Sequence, residues 1–349
     1  MLAARYSYIN AKLRAHLAEI LTREQWDALL GARDMLAAIR VLDATGYSDL
    51  VKGFTARTSP QEVERVLQED FNRALVEVTE DAPRATQRLM TWMARKFQKE
   101  VVKTLLRLKA TKADQATANR LLIPLNPFTM PVLRSLLETT DLRLLAARLP
   151  DPLFRQIVEE NLRRYDESQE LLFLEQPLDK AVYQNLYKEA RRLKGLDRQV
   201  TLQLVGLETD LINLMIALRS RFLQMPFSEA KQLLLETEYE LPRSLCESAM
   251  QVQTLEESVR LLKTSRYDVL VTQAWEAYER YHTLHAFEQG FHQRIRTASR
   301  DAMLGFPFHF GVLLGYLNLK WYETLNLKAL INGKSEGLDA PTIRRALIL

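Results

Sequence analysis

Thr209-Asp210-Leu211-Ile212-Asn213-Leu214-Met215-Ile216-Ala217-Leu218-Arg219-Ser220-Arg221 is a helical stretch with an acid and an asparagine three residues apart. Residues at that spacing share a helix face, so Asp210 and Asn213 lie together among apolar neighbours. The same frame occurs twice more. Near residue 100 the chain runs Phe97-Gln98-Lys99-Glu100-Val101-Val102-Lys103-Thr104-Leu105-Leu106-Arg107-Leu108-Lys109, and near 323 it runs Tyr322-Glu323-Thr324-Leu325-Asn326-Leu327-Lys328-Ala329-Leu330-Ile331. Aligning Gln98, Asp210 and Glu323 gives intervals of 112 and 113 residues. The second and third copies share the acid and an Asn-Leu three residues on; the first and second share Leu-Arg-x-basic at the end. A second landmark places Thr and then Tyr or Asp after a leucine, at Leu42/Thr45/Tyr47, Leu136/Thr139/Asp141 and Leu262/Thr264/Tyr267. The reading is three helical units of roughly 110 residues, with bounds at 1–112, 113–228 and 229–349. Chance likeness between Leu-rich helices is the competing account.

Composition agrees with an all-α chain. Gly 11 and Pro 12 in 349 residues are together about half the usual share of roughly 12%. So few glycines leave few positive-φ turns, which argues against an all-β protein and against a dinucleotide-binding α/β protein. A hydrophobic share of 47% with 26% charged residues is that of a folded chain rather than a disordered one. Lys+Arg 48 against Asp+Glu 44 gives a net charge of +4. The two signs are interspersed, so no basic tract reads as a nucleic-acid footprint. The single cysteine, Cys246, permits neither an intrachain disulfide nor a Cys-based zinc site and fits a reducing cytoplasm. The opening MLAARYSYINAKLR has no apolar core of a signal peptide.

Local signals place the helices. Ser59-Pro60-Gln61-Glu62 has the capping-box arrangement, followed by Val63, Val66, Leu67, Phe71, Ala74, Leu75 and Val78 on one face. Thr129-Met130-Pro131 and Asp339-Ala340-Pro341 open two more. Breaks are expected at Pro124 and Pro127, at Pro150-Asp151-Pro152, near Pro177, at Pro226 and from Gly305 to Pro307. The proline-dense Leu121–Pro131 is the first boundary candidate. Ala302–Leu319 carries no formal charge over 18 residues, the lower edge of a membrane span. Its glycines, Pro307 and Asn318 favour a buried helix starting near Pro307.

Three features invite a chemical reading, and each has a plainer structural one. Asp210 with Asn213 and Glu323 with Asn326 suit side-chain hydrogen bonds that fix how two helices meet; acid–base chemistry would need a second titrating group, and none is evident. Asn332-Gly333-Lys334-Ser335 ends like a P-loop. Lys328 stands where the first P-loop glycine belongs and no strand precedes it, so Gly333 reads as the positive-φ stop of a helix. His282, His285 and His292 gather with Glu288, but zinc would need ligands from a second element, and ordinary surface histidines are the simpler account.

Longer motifs carry a family likeness. Tyr8-Ile9-Asn10-Ala11-Lys12-Leu13-Arg14 resembles the opening of the C subunit (also called the d subunit) of the V-type and A-type rotary ATPases. Leu174-Glu175-Gln176-Pro177-Leu178-Asp179-Lys180-Ala181-Val182-Tyr183 resembles the Glu-x-x-Leu-Asp-basic-x-x-Tyr segment of that family. Asp210–Arg221 resembles its Asp-x-x-Asn-Leu-x-x-x-x-Arg helix, and Gly315-Tyr316-Leu317 with Glu323-x-x-Asn326-Leu327-Lys328 and Gly333-Lys334 its C-terminal signature. The motifs run in order from about residue 6 to 345. The first repeat departs from the pattern with Val101 in place of Asn, and the last lacks the terminal Arg.

The resemblance implies an all-helical protein of three similar domains in a pseudo-threefold, funnel-like arrangement. It implies a peripheral place on the cytoplasmic face of the membrane, with no transmembrane helix of its own. The central-stalk subunits and the proteolipid rotor ring would be its partners. Such a subunit has no active site and no cofactor; it passes rotation between the ATPase shaft and the ring that moves protons or sodium. Arg191, Arg192 and Lys194, and Arg294 with Arg296, are the candidates for meeting acidic partner surfaces. A free-standing helical scaffold is the alternative, although solenoids usually repeat every 20 to 50 residues or so, well short of this period.

Overall fold

Capping chemistry sets where the helices begin, and the computed structural model, which describes residues 2–122 and 124–349, is built of helices and connecting turns with no strand among those residues. Ile123, inside the proline-dense boundary stretch, and Met1 lie outside the described residues. In chain order the helices are α1 (Leu2–Leu17), α2 (Arg23–Gly31), α3 (Met35–Leu42), α4 (Ser48–Val51) and α5 (Pro60–Asp81). Next come α6 (Gln87–Ala110), α7 (Gln115–Leu121), α8 (Met130–Leu137), α9 (Leu142–Ala147), α10 (Pro152–Ser168) and α11 (Leu172–Arg192). Then follow α12 (Gly195–Phe222), α13 (Phe227–Leu233), α14 (Arg243–Gln251), α15 (Leu255–Leu262) and α16 (Asp268–Tyr281). The last three are α17 (His285–Leu304), α18 (Gly311–Ser335) and α19 (Ala340–Ala346).

The cap at α5 forms as its residues require: Glu62 N donates to Ser59 Oγ at 3.2 Å and Ser59 N donates to the Glu62 carboxylate at 2.8 Å. Asp151 and Asp339 cap α10 and α19 in the same way, accepting from the first-turn amides. Three punctuation signals fall differently from the sequence reading. Pro177 does not break α11; it sits in the helix's second turn, where its missing amide removes one hydrogen bond near the helix start. The helix expected near Pro307 begins at Gly311, because α17 continues to Leu304 and a turn intervenes. Gly333 does not stop α18. A Cβ there would stand 2.7 Å from Cγ1 of Ile343, so glycine lets α19 approach. The left-handed stop is Gly337 (φ 72°), with Leu338 N donating to the Gly333 carbonyl at 2.8 Å and Gly337 N to that of Lys334 at 3.3 Å, a Schellman closure.

Contacts divide the chain into two units, residues 1–87 with 296–349, and residues 88–295. In the first, α18 packs on α1, α3, α5 and α19, and α19 on α2. Its core joins the two ends of the chain: Trp26, Leu29, Ile39, Leu42 and Leu67 are buried with Leu327, Leu330, Ile331 and Ile343. In the second, α11 packs between α10 and α12, and α12 also meets α13, α14 and α15. Both α12 and α18 are buried around most of their circumference, as expected of helices packed on several sides rather than on one stripe. By length and composition α12 is the one described helix that would qualify as a membrane span, yet most of it is enclosed by its own unit.

Candidate functional site

The repeated acids hold loop backbone. Asp210 is fully buried and accepts from Tyr239 N at 3.3 Å, Glu240 N at 2.7 Å, Leu241 N at 3.0 Å and the Tyr267 hydroxyl at 2.6 Å. Burial lifts its pKa to about 6, against the pull of those donors. Glu323 repeats the arrangement in the other unit, accepting from Leu21 N at 2.6 Å and from the Tyr47 hydroxyl at 2.6 Å; burial raises it as well. The asparagines three residues on pair with a peptide group. Asn213 donates to the carbonyls of Leu235 and Thr237 and accepts from Leu235 N at 2.8 Å. Asn326 donates to the Ile348 carbonyl and accepts from Ile348 N, both at 2.8 Å. The partners are thus chain segments entering α14 and α2 or following α19, rather than side chains of a facing helix. In the first copy the neutral Gln98 amide donates to the Asn126 carbonyl at 2.7 Å, and Val101 is simply buried.

The tyrosine landmark holds in two copies. Thr45 Oγ1 donates to the Leu42 carbonyl and accepts from Tyr47 N. In the second unit it is Ser265, not Thr264, that bridges the Leu262 carbonyl and Tyr267 N. Leu136/Thr139/Asp141 is no counterpart: Thr139 caps Leu136, but Asp141 caps α9 through Leu144 N at 2.8 Å.

A charged ladder that sequence reasoning missed joins α6 to α11. Lys99, Lys103 and Arg107 are each four residues apart, as are Glu175, Asp179 and Tyr183, so each set lies on one face. Lys99 and Lys103 grip Asp179 at 2.6 and 2.8 Å, and the Lys99 ammonium lies 5.1 Å from the centre of the Tyr183 ring. Arg107 takes Glu175 in a two-pronged contact at 2.5 and 2.6 Å. Burial opposes the Asp179 charge, but the two lysines prevail and hold its carboxyl below the usual range. The Arg107 contact recurs. The residue nine positions after the aligned Gln98, Asp210 and Glu323 meets a glutamate each time: Arg107 with Glu175, Arg219 with Glu288, and Asn332 with Glu64. Where the last copy lacks the arginine, an asparagine amide makes the contact.

Of the predicted partner-contact residues, Arg191 and Lys194 are exposed and Arg192 pairs with Glu189 on its own helix. Arg294 is tied inward, 2.7 Å from Glu240 and over the Tyr267 ring. Arg296 is half-buried, and burial with the nearby charge of Arg300 pushes its guanidinium pKa down. The chemical decoys are occupied otherwise. Lys334 is buried and donates to the Leu30 carbonyl at 2.7 Å. His282 is the left-handed cap of α16, Glu288 is taken by Arg219, and burial drives His292 down to about 4.

Known proteins with this pattern are of one kind. The ATP synthase (C/AC39) subunit family matches residues 9–346. The C subunit of the A-type ATP synthase of Methanocaldococcus jannaschii is 25% identical over 346 residues, covering 99% of this chain and 86% of that protein. The protein of the same name from Methanosphaera stadtmanae is 22% identical, over 94% of this chain and 84% of its own length, and that of Halobacterium salinarum 24%, over 99% and 98%. With nearly every residue inside the match, the chain belongs to the ATP synthase (C/AC39) subunit family.

Proposed function

We propose that this chain is a non-catalytic rotor subunit of an A/V-type ATPase or ATP synthase. In this reading it links the central stalk to the membrane proteolipid ring on the cytoplasmic face and transmits torque for proton or sodium transport. The observation that carries the reading is the family match across residues 9–346. Its mechanical demand is stiffness, since a part set between shaft and ring must not deform under load. Packed helical interiors deform little, and the buried α6–α11 ladder adds ionic ties within one unit.

The reading also takes the chain as three similar helical domains in a pseudo-threefold, funnel-like arrangement. The bounds read from sequence lie near 112 and 228; the recurring basic-or-Asn to Glu contact favours repeats running α6–α11, α12–α17, and α18–α19 continued by α1–α5. The test is a membrane preparation lacking this chain. ATP hydrolysis by the soluble head should persist while ATP-driven ion pumping is lost, and adding the chain back should restore pumping. Pumping without it refutes the role. The wild-type chain should also co-purify with stalk and ring subunits and loosen as salt shortens the screening length below about 8 Å.

A further inference from the structure

The first unit contains a cavity of about 710 Å³, inside the range of about 300–1,000 Å³ usual for ligand pockets. Leucines and isoleucine form part of its wall, among them Leu17, Ile20 and Leu319, and four arginines form another part: Arg23, Arg296, Arg300 and Arg344. Two acids line it too, and both are already engaged. Asp27 is ion-paired with Arg344, and Glu24 is turned to its own amide and the Thr22 hydroxyl, which hold its carboxyl low. Arg296 and Arg300 differ. They sit four residues apart on one face of α17, and among the described residues neither takes a hydrogen bond or ion pair. Leu304, one turn further along that face, is 61% exposed and also lines the cavity.

This face has half of a pattern that the chain completes elsewhere. Lys99, Lys103 and Arg107, at the same spacing of four, meet Glu175 and Asp179, themselves four apart on a second helix. Arg296, Arg300 and Leu304 present two cations and an apolar side chain at that spacing with no acidic helix opposite. A free inorganic anion would satisfy the guanidiniums and leave the apolar wall uncovered. We propose that the cavity receives an acidic amphipathic helix of a partner protein, its two carboxylates one turn apart on Arg296 and Arg300 and its apolar side chains against Leu304 and the leucine wall. The proposal rests on the reading of the chain as a subunit of a larger assembly.

The test uses the intact membrane complex. The photo-crosslinking residue p-benzoylphenylalanine is placed at Leu304, and the adduct is identified by mass spectrometry. The expected adduct is a partner segment with Asp or Glu three or four residues apart. A lipid adduct, or none in the assembled complex, overturns the proposal. Arg296→Glu with Arg300→Glu should then cut retention of that partner by about tenfold or more at physiological salt, as reversal of an interfacial charge pair does, while Arg296→Lys with Arg300→Lys retains it. Far-UV circular dichroism and melting of the isolated chain should be unchanged in both, because neither arginine is paired within it. Exchanging the crosslinked acids for lysine should restore retention by the Glu/Glu variant. If the Glu/Glu variant holds its partner as wild type does, the cavity proposal falls and the subunit assignment stands. If the wild-type chain does not co-purify with ATPase subunits at all, the assignment falls and takes the proposal with it.

Discussion

Asp179→Ala should cost most of the stability of the second unit, whereas Arg107→Ala, one turn along the same ladder, should cost little. The difference lies in burial. Lys99 is 3% exposed and Lys103 9%, and Asp179 sits between their ammonium groups at 2.6 and 2.8 Å. Removing it leaves two enclosed cations with Glu100 as their remaining acid. Breaking a buried pair from one side costs about 3–5 kcal/mol, a large part of the roughly 5–15 kcal/mol that holds a domain folded. The Arg107 side chain is 54% exposed, and a solvated pair of that kind contributes about 0.2–1 kcal/mol.

Replacing the whole cluster with Lys99→Met, Lys103→Met and Asp179→Leu should be neutral or mildly stabilising, because it also removes the desolvation cost. The assay is urea denaturation of the purified chain followed by far-UV circular dichroism, for wild type, both single variants and the triple. The pH dependence follows from the same geometry. The Asp179 carboxyl is held below its unfolded value near 3.8, so its contribution is complete above that pH and is lost as pH falls beneath it. Asp179→Asn should therefore flatten the acid limb. Equal losses for Asp179→Ala and Arg107→Ala, or a triple variant as unstable as the single, would refute the reasoning.

Three further outcomes are expected. Gly206→Ala would place a Cβ 2.3 Å from the Tyr239 ring, and such overpacking costs about 1–3 kcal/mol; thermal melting should show it, and a variant as stable as wild type would show that the 239–241 loop is free to move. Tyr267→Phe and Tyr47→Phe each remove a hydroxyl donor from a buried carboxylate, for about 1.5–3 kcal/mol apiece, measurable by the same urea titration; a loss in only one variant would break the equivalence of Asp210 and Glu323. Asp210 binds its proton more tightly in the folded chain, with a pKa of about 6 against 3.8. Stability should therefore fall by about 3 kcal/mol as pH rises from about 4 to about 6 and level off above. Asp210→Asn should abolish that slope in melting temperatures recorded across the window, and a slope that survives the substitution would assign it to another group.

The helical class, most helix starts and the 112-residue recurrence were all legible in the sequence, because capping and periodicity are local: Ser59 needs only Glu62, and Asp210 needs only Asn213 three residues on. What those groups hold was not local. The amide and hydroxyl that satisfy Glu323 come from Leu21 and Tyr47, 302 and 276 residues away in the chain, and periodicity names the face of a helix without naming what meets it. Lys99, Lys103 and Arg107 look like an ordinary solvated stripe until α11 covers the first two. Gly333 carries the helix-stop signal in sequence, yet the stop falls at Gly337 because Ile343 of α19 occupies the space beside Gly333. Sequence determined which residues form helices and which faces are apolar or polar; tertiary packing decided which charges are buried and therefore strong, since the energy of a charge pair depends on how much water its surroundings exclude.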